Sequence, residues 1–143
     1  MAIANILLVD DETPLLETMT RRLAKREFIT TSAPSGHEAI RLLEKNGDLE
    51  VVVLDVKMPE MDGLQTLKII RQRFPLVEVI MLTGHATIES AIEGMKLGAF
   101  DYLMKPCEME ELISKVREAS AKKRRHKEKI IEAQLKEITM RRI

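Results

Sequence analysis

Five side chains with complementary chemistry stand directly after apolar stretches of the sequence. Asp10 and Asp11 follow ILLV, Asp55 follows VVVL, Thr83 follows VIML, and Lys105 follows FDYLM. Crowded carboxylates repel one another unless a cation lies between them, and Mg²⁺ prefers carboxylate, water and phosphate oxygens. These residue types predict a Mg²⁺ site in which Asp10, Asp11 and Asp55 are ligands or water-mediated neighbours.

The same set supplies the groups that phosphoryl transfer needs. With Mg²⁺ bound, Asp55 can act as a nucleophile toward phosphorus and form an acyl phosphate. The ammonium of Lys105 would neutralise one phosphoryl oxygen, and the hydroxyl of Thr83 would donate a hydrogen bond to another. The combination is therefore more specific than any one of its members.

Five apolar runs have the length of strands, and segments with one apolar helical face lie between them. The runs occupy residues 6–9, 28–32, 51–54, 77–82 and 100–104. The helical segments cover residues 14–26, 35–46, 64–74, 87–97 and the chain from 108 onward. Ser35 and Glu38 have the spacing of a helix capping box. This alternation predicts an α/β fold: a flavodoxin-like, doubly wound sheet of five parallel strands in the order 2-1-3-4-5, with five helices and a C-terminal helical extension.

This strand order brings the candidate residues to one place. The carboxyl ends of strands 1, 3, 4 and 5 lie at the edge of the sheet where such folds bind ligands. Asp10, Asp55, Thr83 and Lys105 each follow one of those strands. We therefore expect three carboxylates, a hydroxyl and an ammonium to converge there.

Length and composition exclude several classes of protein. The chain of 143 residues has 23 Lys and Arg, 23 Asp and Glu, one cysteine and no tryptophan. A single thiol forms no internal disulfide, which favours a reducing compartment. The N-terminus lacks a basic signal-peptide region, and no apolar run approaches the roughly 20 residues that span a bilayer. We expect a cytoplasmic protein.

The motifs resemble the receiver domain of two-component response regulators. The matching segments are LLVDDE at 7–12, LDVKMPEMDG at 54–63, MLTGHA at 81–86 and GAFDYLMKP at 98–106. The resemblance covers roughly residues 4–120, with all motifs in order. The segment from 83 to 106 is further similar to receivers of the nitrogen-regulation type, which precede an ATPase domain in enhancer-binding activators.

The resemblance implies a role for each residue of the set. Asp55 would be the phosphoacceptor, which receives its phosphoryl group from a phosphohistidine on a sensor histidine kinase. Asp10 and Asp11 would be the acidic pair that holds Mg²⁺ together with Asp55 and the backbone carbonyl of Lys57. Lys105 would contact the phosphoryl group.

The resemblance also implies a switch and two modulating positions. Thr83 would be the switch hydroxyl, and Tyr102 the aromatic residue that turns inward on activation. Lys57 and His85 occupy positions that tune the lifetime of the acyl phosphate. Pro106 matches a proline that follows the lysine through a cis peptide bond.

The resulting prediction is a phosphoacceptor switch rather than an enzyme. Phosphorylation would change the face formed by the fourth helix, the fifth strand and the fifth helix, which would control a partner, a dimer or an output domain. Three other interpretations exist. Asp10 to Glu12 can be an acidic helix start. A phosphohydrolase of the haloacid-dehalogenase type needs an aspartate where Lys57 stands. A receiver can also act as an interaction domain without phosphorylation.

The C-terminal segment differs from the rest of the chain in charge. Residues 1–116 carry 13 Lys and Arg against 19 Asp and Glu, and residues 117–143 carry 10 against 4. We therefore divide the chain into a receiver domain at 1–120 and a basic helical linker or tail at 121–143. Its apolar positions have helical spacing and are Ile130, Ile131, Leu135 and Ile138.

Three functions are compatible with this tail. It can be a solvated extension of the fifth helix, a coiled-coil helix that pairs two chains, or a nucleic-acid contact through the basic run at 122–125. No nucleic-acid reader module accompanies the basic run. The chain is either a stand-alone receiver or a receiver and linker from a longer regulator, and the linker-like tail favours the second.

Overall fold

A computed structural model describes residues 4–58, 61–84 and 87–141, in which five strands alternate with five helices. The strands are β1 (Asn5–Val9), β2 (Ile29–Ala33), β3 (Val51–Leu54), β4 (Glu78–Thr83) and β5 (Asp101–Met104). The helices are α1 (Thr13–Ala24), α2 (Gly36–Lys45), α3 (Gly63–Arg73), α4 (Ile88–Lys96) and α5 (Met109–Arg141). Each predicted element is present, and its ends lie within two residues of the predicted ones. Within the described ranges, no helix combines the length and apolarity that a membrane span requires.

All five strands form one parallel sheet in the order β2-β1-β3-β4-β5, which confirms the predicted fold class. Val9 pairs with Leu54 across β1 and β3, and Leu54 pairs with Met81 across β3 and β4. The main-chain N–H of Asp55 donates to Val9 O at 3.0 Å, so the ladder continues one residue beyond β3. The residues that follow these strands are therefore held side by side.

Two apolar cores cover the two faces of the sheet. One contains Leu8 and Val53 from the strands together with apolar side chains of α1 and α5. The other contains Leu7 and Val52 with apolar side chains of α2 and α3. Alternate residues of each strand thus enter opposite cores, which explains the unbroken apolar runs. Each buried aliphatic side chain contributes about 1.5–3 kcal/mol, and this packing holds the strand ends in place.

The start of α2 differs in one detail from its predicted capping box. Ser35 Oγ accepts a hydrogen bond from the N–H of Glu38 at 3.2 Å, as expected. The carboxylate of Glu38, however, accepts from Arg41 Nε at 3.0 Å. Glu38 thus pairs with an arginine one turn along the helix instead of completing the second hydrogen bond of the capping box.

Helix α5 continues far beyond the sheet that it packs on. Its last buried apolar residue is Ala119, and residues 124–140 are exposed. At the junction, the buried residue Glu50, which directly precedes β3, pairs with this helix. Glu50 accepts two hydrogen bonds from the guanidinium of Arg124, at 2.8 and 3.0 Å, and one from Ser120 Oγ at 3.0 Å. Contacts with the receiver body therefore extend past the predicted boundary at residue 120.

The pairing of Glu50 makes the stability of the protein depend on pH. Burial raises the pKa of this carboxyl, but hydrogen bonds from Arg124, the N–H of Asn5 and Ser120 outweigh burial and hold the pKa below its usual range. A carboxyl whose pKa is lower in the folded state stabilises the protein fully above its unfolded pKa of about 4.3. This stabilisation is lost as the pH falls through the folded pKa.

We expect Glu50→Gln to lower the free energy of unfolding at pH 7 by about 1.5–3 kcal/mol, the range for a hydrogen bond to a charged group. The difference from the native protein should shrink as the pH falls below about 4. Urea unfolding at pH 7, 5 and 3 measures it. Glu44→Gln is the control, because its pair with Arg73 is exposed and should change stability by less than about 1 kcal/mol. A loss for Glu50→Gln that stays constant with pH would contradict the assignment.

Candidate functional site

Asp55 stands directly after β3 and is 3% exposed. One carboxylate oxygen, Oδ2, lies 3.8 Å from the ammonium of Lys105. The other, Oδ1, is buried and has no hydrogen-bond partner among the residues that the structure describes. A buried carboxylate oxygen without a partner costs stability unless an ion or donor group satisfies it. The environment of Asp55 therefore favours a role in binding a ligand over a role in packing.

Two further carboxylates lie beside Asp55. Asp10, Asp11 and Asp55 each offer one oxygen, and these oxygens all lie within 4.8 Å of one another. Asp10 is buried, whereas Asp11 is exposed. The N–H of Glu12 donates to Asp10 Oδ1 at 3.0 Å and fixes that side chain. The cluster is thus buried at Asp10 and Asp55 and open to solvent at Asp11.

Lys105 supplies the cation of the site. Its ammonium lies 2.5 Å from Asp10 Oδ2, closer than to Asp55. Its main-chain N–H donates to Thr83 O at 2.9 Å, and the peptide bond to Pro106 is cis. Among the described residues, Lys105 is the one cation paired with this three-carboxylate cluster, so about two negative charges remain uncompensated. An all-oxygen cluster with this surplus and an unpartnered buried oxygen suits a hard divalent cation such as Mg²⁺.

Thr83 ends β4 next to this cluster. It pairs with Met104 on β5 and lies two residues beyond Met81, which pairs with Leu54. It is fully buried. The sheet register therefore places Thr83 between the strand that leads to Asp55 and the loop that carries Lys105.

Tyr102 on β5 contacts the start of α4. Its hydroxyl lies 2.9 Å from Ser90 Oγ. Ser90 Oγ also accepts from the N–H of Thr87 at 3.1 Å, and Thr87 Oγ1 accepts from the N–H of Ser90 at 3.0 Å, which completes a capping box. The position of the tyrosine ring is thereby linked to the first turn of α4. The sequence contained the T-x-x-S spacing, but it gave no indication of the bond to Tyr102.

Only one of the two modulating positions predicted from the sequence lies within the described residues. Lys57 is exposed in the loop directly after Asp55. His85 lies outside the described residues.

Gly63, the last residue of the segment LDVKMPEMDG, also helps to form the site. Its N–H donates to Val56 O at 2.6 Å. A methyl group at this position would collide with the carbonyl oxygen of Asp55 and would lie 2.6 Å from the Cα of Val56. The start of α3 is therefore in direct contact with the backbone that carries the Asp55 side chain, and only glycine leaves room for it.

Comparison with known proteins decides the family. Residues 6–117 match the family described as "Response regulator receiver domain". The chain belongs to this family. A receiver domain from Clostridium thermocellum superposes with a TM-score of 0.81 at 35% identity, covering 85% of this receiver and 97% of that chain. NtrX from Brucella abortus gives a TM-score of 0.78 at 30% identity over 90% of this receiver and 28% of that chain.

The curated relatives are regulators of greater length. The Regulatory protein AtoC of Escherichia coli is 39% identical over 113 residues, which are 78% of this receiver and 24% of AtoC. The DNA-binding transcriptional regulator NtrC of Salmonella typhimurium is 35% identical over 80% of this receiver and 24% of NtrC. The chain thus spans about a quarter of these relatives, and the likeness to nitrogen-regulation receivers predicted from its motifs is confirmed.

The contact at Gly63 generates a prediction about stability. Gly63→Ala should lower the free energy of unfolding by about 1–3 kcal/mol, because the new methyl group meets backbone atoms that cannot rotate away. Urea unfolding at pH 7 measures it. The matched control is Gly47→Ala, whose methyl group has no described atom within 4 Å and should change stability by at most about 0.5 kcal/mol. Equal effects of both substitutions would show that the contact with Asp55 is unimportant.

Proposed function

We propose that this receiver is a phosphoacceptor switch, which catalyses only its own phosphorylation and dephosphorylation. Asp55 accepts a phosphoryl group from a phosphohistidine on a sensor histidine kinase. The observation that carries the proposal is a buried carboxylate with one unpartnered oxygen among the described residues, beside Asp10, Asp11 and Lys105. No stability argument explains why the fold retains such a cluster.

The transfer uses the nucleophilic oxygen of Asp55. This oxygen attacks phosphorus while the P–N bond of the phosphohistidine breaks, and the imidazole leaves with the electron pair. Mg²⁺, held by Asp10, Asp11, Asp55 and the backbone carbonyl of Lys57, would compensate the charge of the phosphoryl oxygens. Lys105 then exchanges part of its pairing with Asp10 for a phosphoryl oxygen.

The switch follows from the added charge. A phosphoryl group brings about −1.5 to −2 charges to the edge of the sheet. In the proposal, the hydroxyl of Thr83 donates to a phosphoryl oxygen, and Tyr102 turns inward and leaves Ser90. Ser90 would then lose the partner that links β5 to the capping box of α4, so the start of α4 would change with the site.

The face formed by α4, β5 and α5 is suited to read out this change. It exposes large apolar side chains on α4 and at the end of β5, and these are Ile88, Ile92, Met95 and Met104. Surface clusters of this kind mark interaction sites. We assign this face to a second receiver or to another partner that binds according to the phosphorylation state.

A groove beside Lys105 offers a contact for the kinase. It has a volume of about 390 Å³ and lies between α1 and the loop from β5 to α5. Leu15, Met19, Pro106 and Met109 are among its lining residues, and Lys105 borders it. A partner helix bound here would present its phosphohistidine near Asp55. Lys57 and His85 would tune how long the acyl phosphate lasts.

The two competing functions have weaker support. A phosphohydrolase of the haloacid-dehalogenase type requires a general acid two residues after the nucleophile, and Lys57 occupies that position. An interaction domain without phosphorylation leaves the unpartnered oxygen of Asp55 and the surplus negative charge unexplained.

Intact-mass spectrometry tests the phosphoacceptor. The native chain is incubated with acetyl phosphate, with and without Mg²⁺, beside Asp55→Ala. We expect a single phosphoryl adduct that requires both Mg²⁺ and Asp55. Asp48→Ala is the control, since Asp48 is an exposed aspartate outside the acidic cluster, and it should be phosphorylated like the native chain. Absence of an adduct on the folded native chain would favour the phosphorylation-independent interaction domain.

The C-terminal helix supports a second part of the proposal, namely pairing of two chains. In the linker or tail at 121–143, the side chains of Ile131, Leu135 and Ile138 are about half exposed and follow the i, i+4, i+7 spacing of a helical stripe. No described segment covers them. Two copies of the chain would bury this stripe against each other, which agrees with a linker that leads to an output domain.

Sedimentation analysis across protein concentrations tests the pairing. Leu135→Gln should weaken dimerisation by about tenfold or more, because it removes a side chain whose burial is worth about 1.5–3 kcal/mol. The matched control is Ala133→Gln on the opposite side of the helix, which should leave dimerisation unchanged. A native chain that remains monomeric at all concentrations, or equal effects of the two substitutions, would contradict a coiled-coil role.

A further inference from the structure

Two buried carboxylates lie at the edge of the sheet opposite the candidate site. Glu50 directly precedes β3, and Glu78 begins β4, so both stand at the amino ends of neighbouring strands. Glu78 is only 1% exposed and Glu50 is 7% exposed. Burying a carboxylate is costly unless cations and donors surround it. The groups that surround these two come largely from one short segment of α5.

Arg124 is the partner of Glu50. Its Nε and Nη2 reach the two carboxylate oxygens at 2.8 and 3.0 Å, which is a bidentate pair. Ser120, one turn earlier on α5, donates to the same carboxylate, and the N–H of Asn5 donates at 3.2 Å. The carboxylate is thus satisfied by α5 on one side and by the start of β1 on the other.

Lys122 is the corresponding partner of Glu78. Its ammonium lies 3.5 Å from Glu78 Oε1 and 5.7 Å from the centre of the Phe100 ring. Arg71 lies farther away at 3.9 Å and donates to the carbonyl oxygens of Pro75 and Val77 at 3.1 and 2.6 Å. Neither oxygen of Glu78 has a hydrogen-bond partner within the described residues. Among the described residues, Lys122 therefore provides the cation nearest to the buried carboxylate of Glu78.

The ion pairs of Lys122 with Glu78 and of Arg124 with Glu50 lie on opposite sides of α5. Successive residues of an α-helix are about 100° apart, since a turn has 3.6 residues. Lys122 and Arg124 consequently flank the buried stripe of α5 that ends with Ala119, Ser120 and Lys123. Lys122 extends to the start of β4, and Arg124 extends to the residue that precedes β3. Rolling the helix in either direction would lengthen one of the two ion pairs.

We propose that Glu50 and Glu78 form an acidic dock for the basic segment 122–124, which fixes the rotation and exit direction of the helical extension. Residues 124–140 of α5 are exposed, and an isolated helix of this length is only marginally stable in water. The dock supplies the fixed turn from which the extension propagates. Part of the basic run is thus committed to the receiver itself, and this inference does not rest on phosphorylation of Asp55.

Hydrogen exchange followed by mass spectrometry on the full chain tests the dock. Arg124→Gln should accelerate amide exchange at residues 120–128 by about tenfold, as expected for loss of a charged hydrogen bond. The matched control is Arg125→Gln, which removes the neighbouring exposed cation and should change exchange there by less than twofold. Peptides from β3 and β4 should exchange as in the native chain with both substitutions, which separates loss of the dock from unfolding.

A distance measurement tests the exit direction independently. Nitroxide labels at Asp48→Cys and Lys129→Cys, in a Cys107→Ser background, give the distribution of distances between the body and the extension. We expect a narrow distribution that broadens at least twofold with Arg124→Gln and remains narrow with Arg125→Gln. An Arg124→Gln protein with native exchange at 120–128 and an unchanged distribution would overturn the proposal.

Discussion

The repulsion among three carboxylates that share one ammonium is the constraint on which the structure depends. Asp10, Asp11 and Asp55 approach one another within 4.8 Å, and Lys105 compensates only part of their charge. Flexible loops would relieve this repulsion by moving apart. The parallel sheet prevents that, because the buried strands β1 and β3 are hydrogen-bonded to each other up to the residue that carries the charge. The packing energy of two apolar cores thus maintains an arrangement of carboxylates that is unfavourable by itself and becomes favourable when a cation binds among them.

The architecture was predictable from the sequence because its signals are local. Continuous apolar runs, helical periodicity and strand-terminal aspartates each need only a short window, and the connection rules of α/β proteins leave few strand orders. The convergence of Asp10, Asp55 and Lys105 followed from the strand order alone. Roles drawn from the resemblance, such as the contribution of Lys57, remain predictions.

The features that the sequence did not predict depend on contacts between distant segments. Glu50 and Arg124 are 74 residues apart, and nothing in the local pattern of either one marks its partner. The bond between Ser90 and Tyr102 is of the same kind, since it requires knowledge of how α4 lies on β5. Gly63 directly precedes the predicted third helix, but its close approach to the backbone of Asp55 is a property of the folded loop. The ion pair between Lys122 and Glu78 is a further contact of this kind, since no local pattern marks either partner.

Helix α5 runs from the edge of the sheet at the carboxyl ends of the strands to the edge at their amino ends, and it continues beyond the sheet. It begins just after the loop that holds Lys105, passes the pairs at Glu50 and Glu78, and ends at Arg141. Its 33 residues correspond to about 50 Å, of which about 25 Å lie beyond Arg124. A tilt of about 10° at the pairs would displace the far end by about 4 Å, a distance comparable with the spacing of side chains along a helix. A small change in the orientation of α5 at these pairs therefore produces a larger displacement at the far end of the helix.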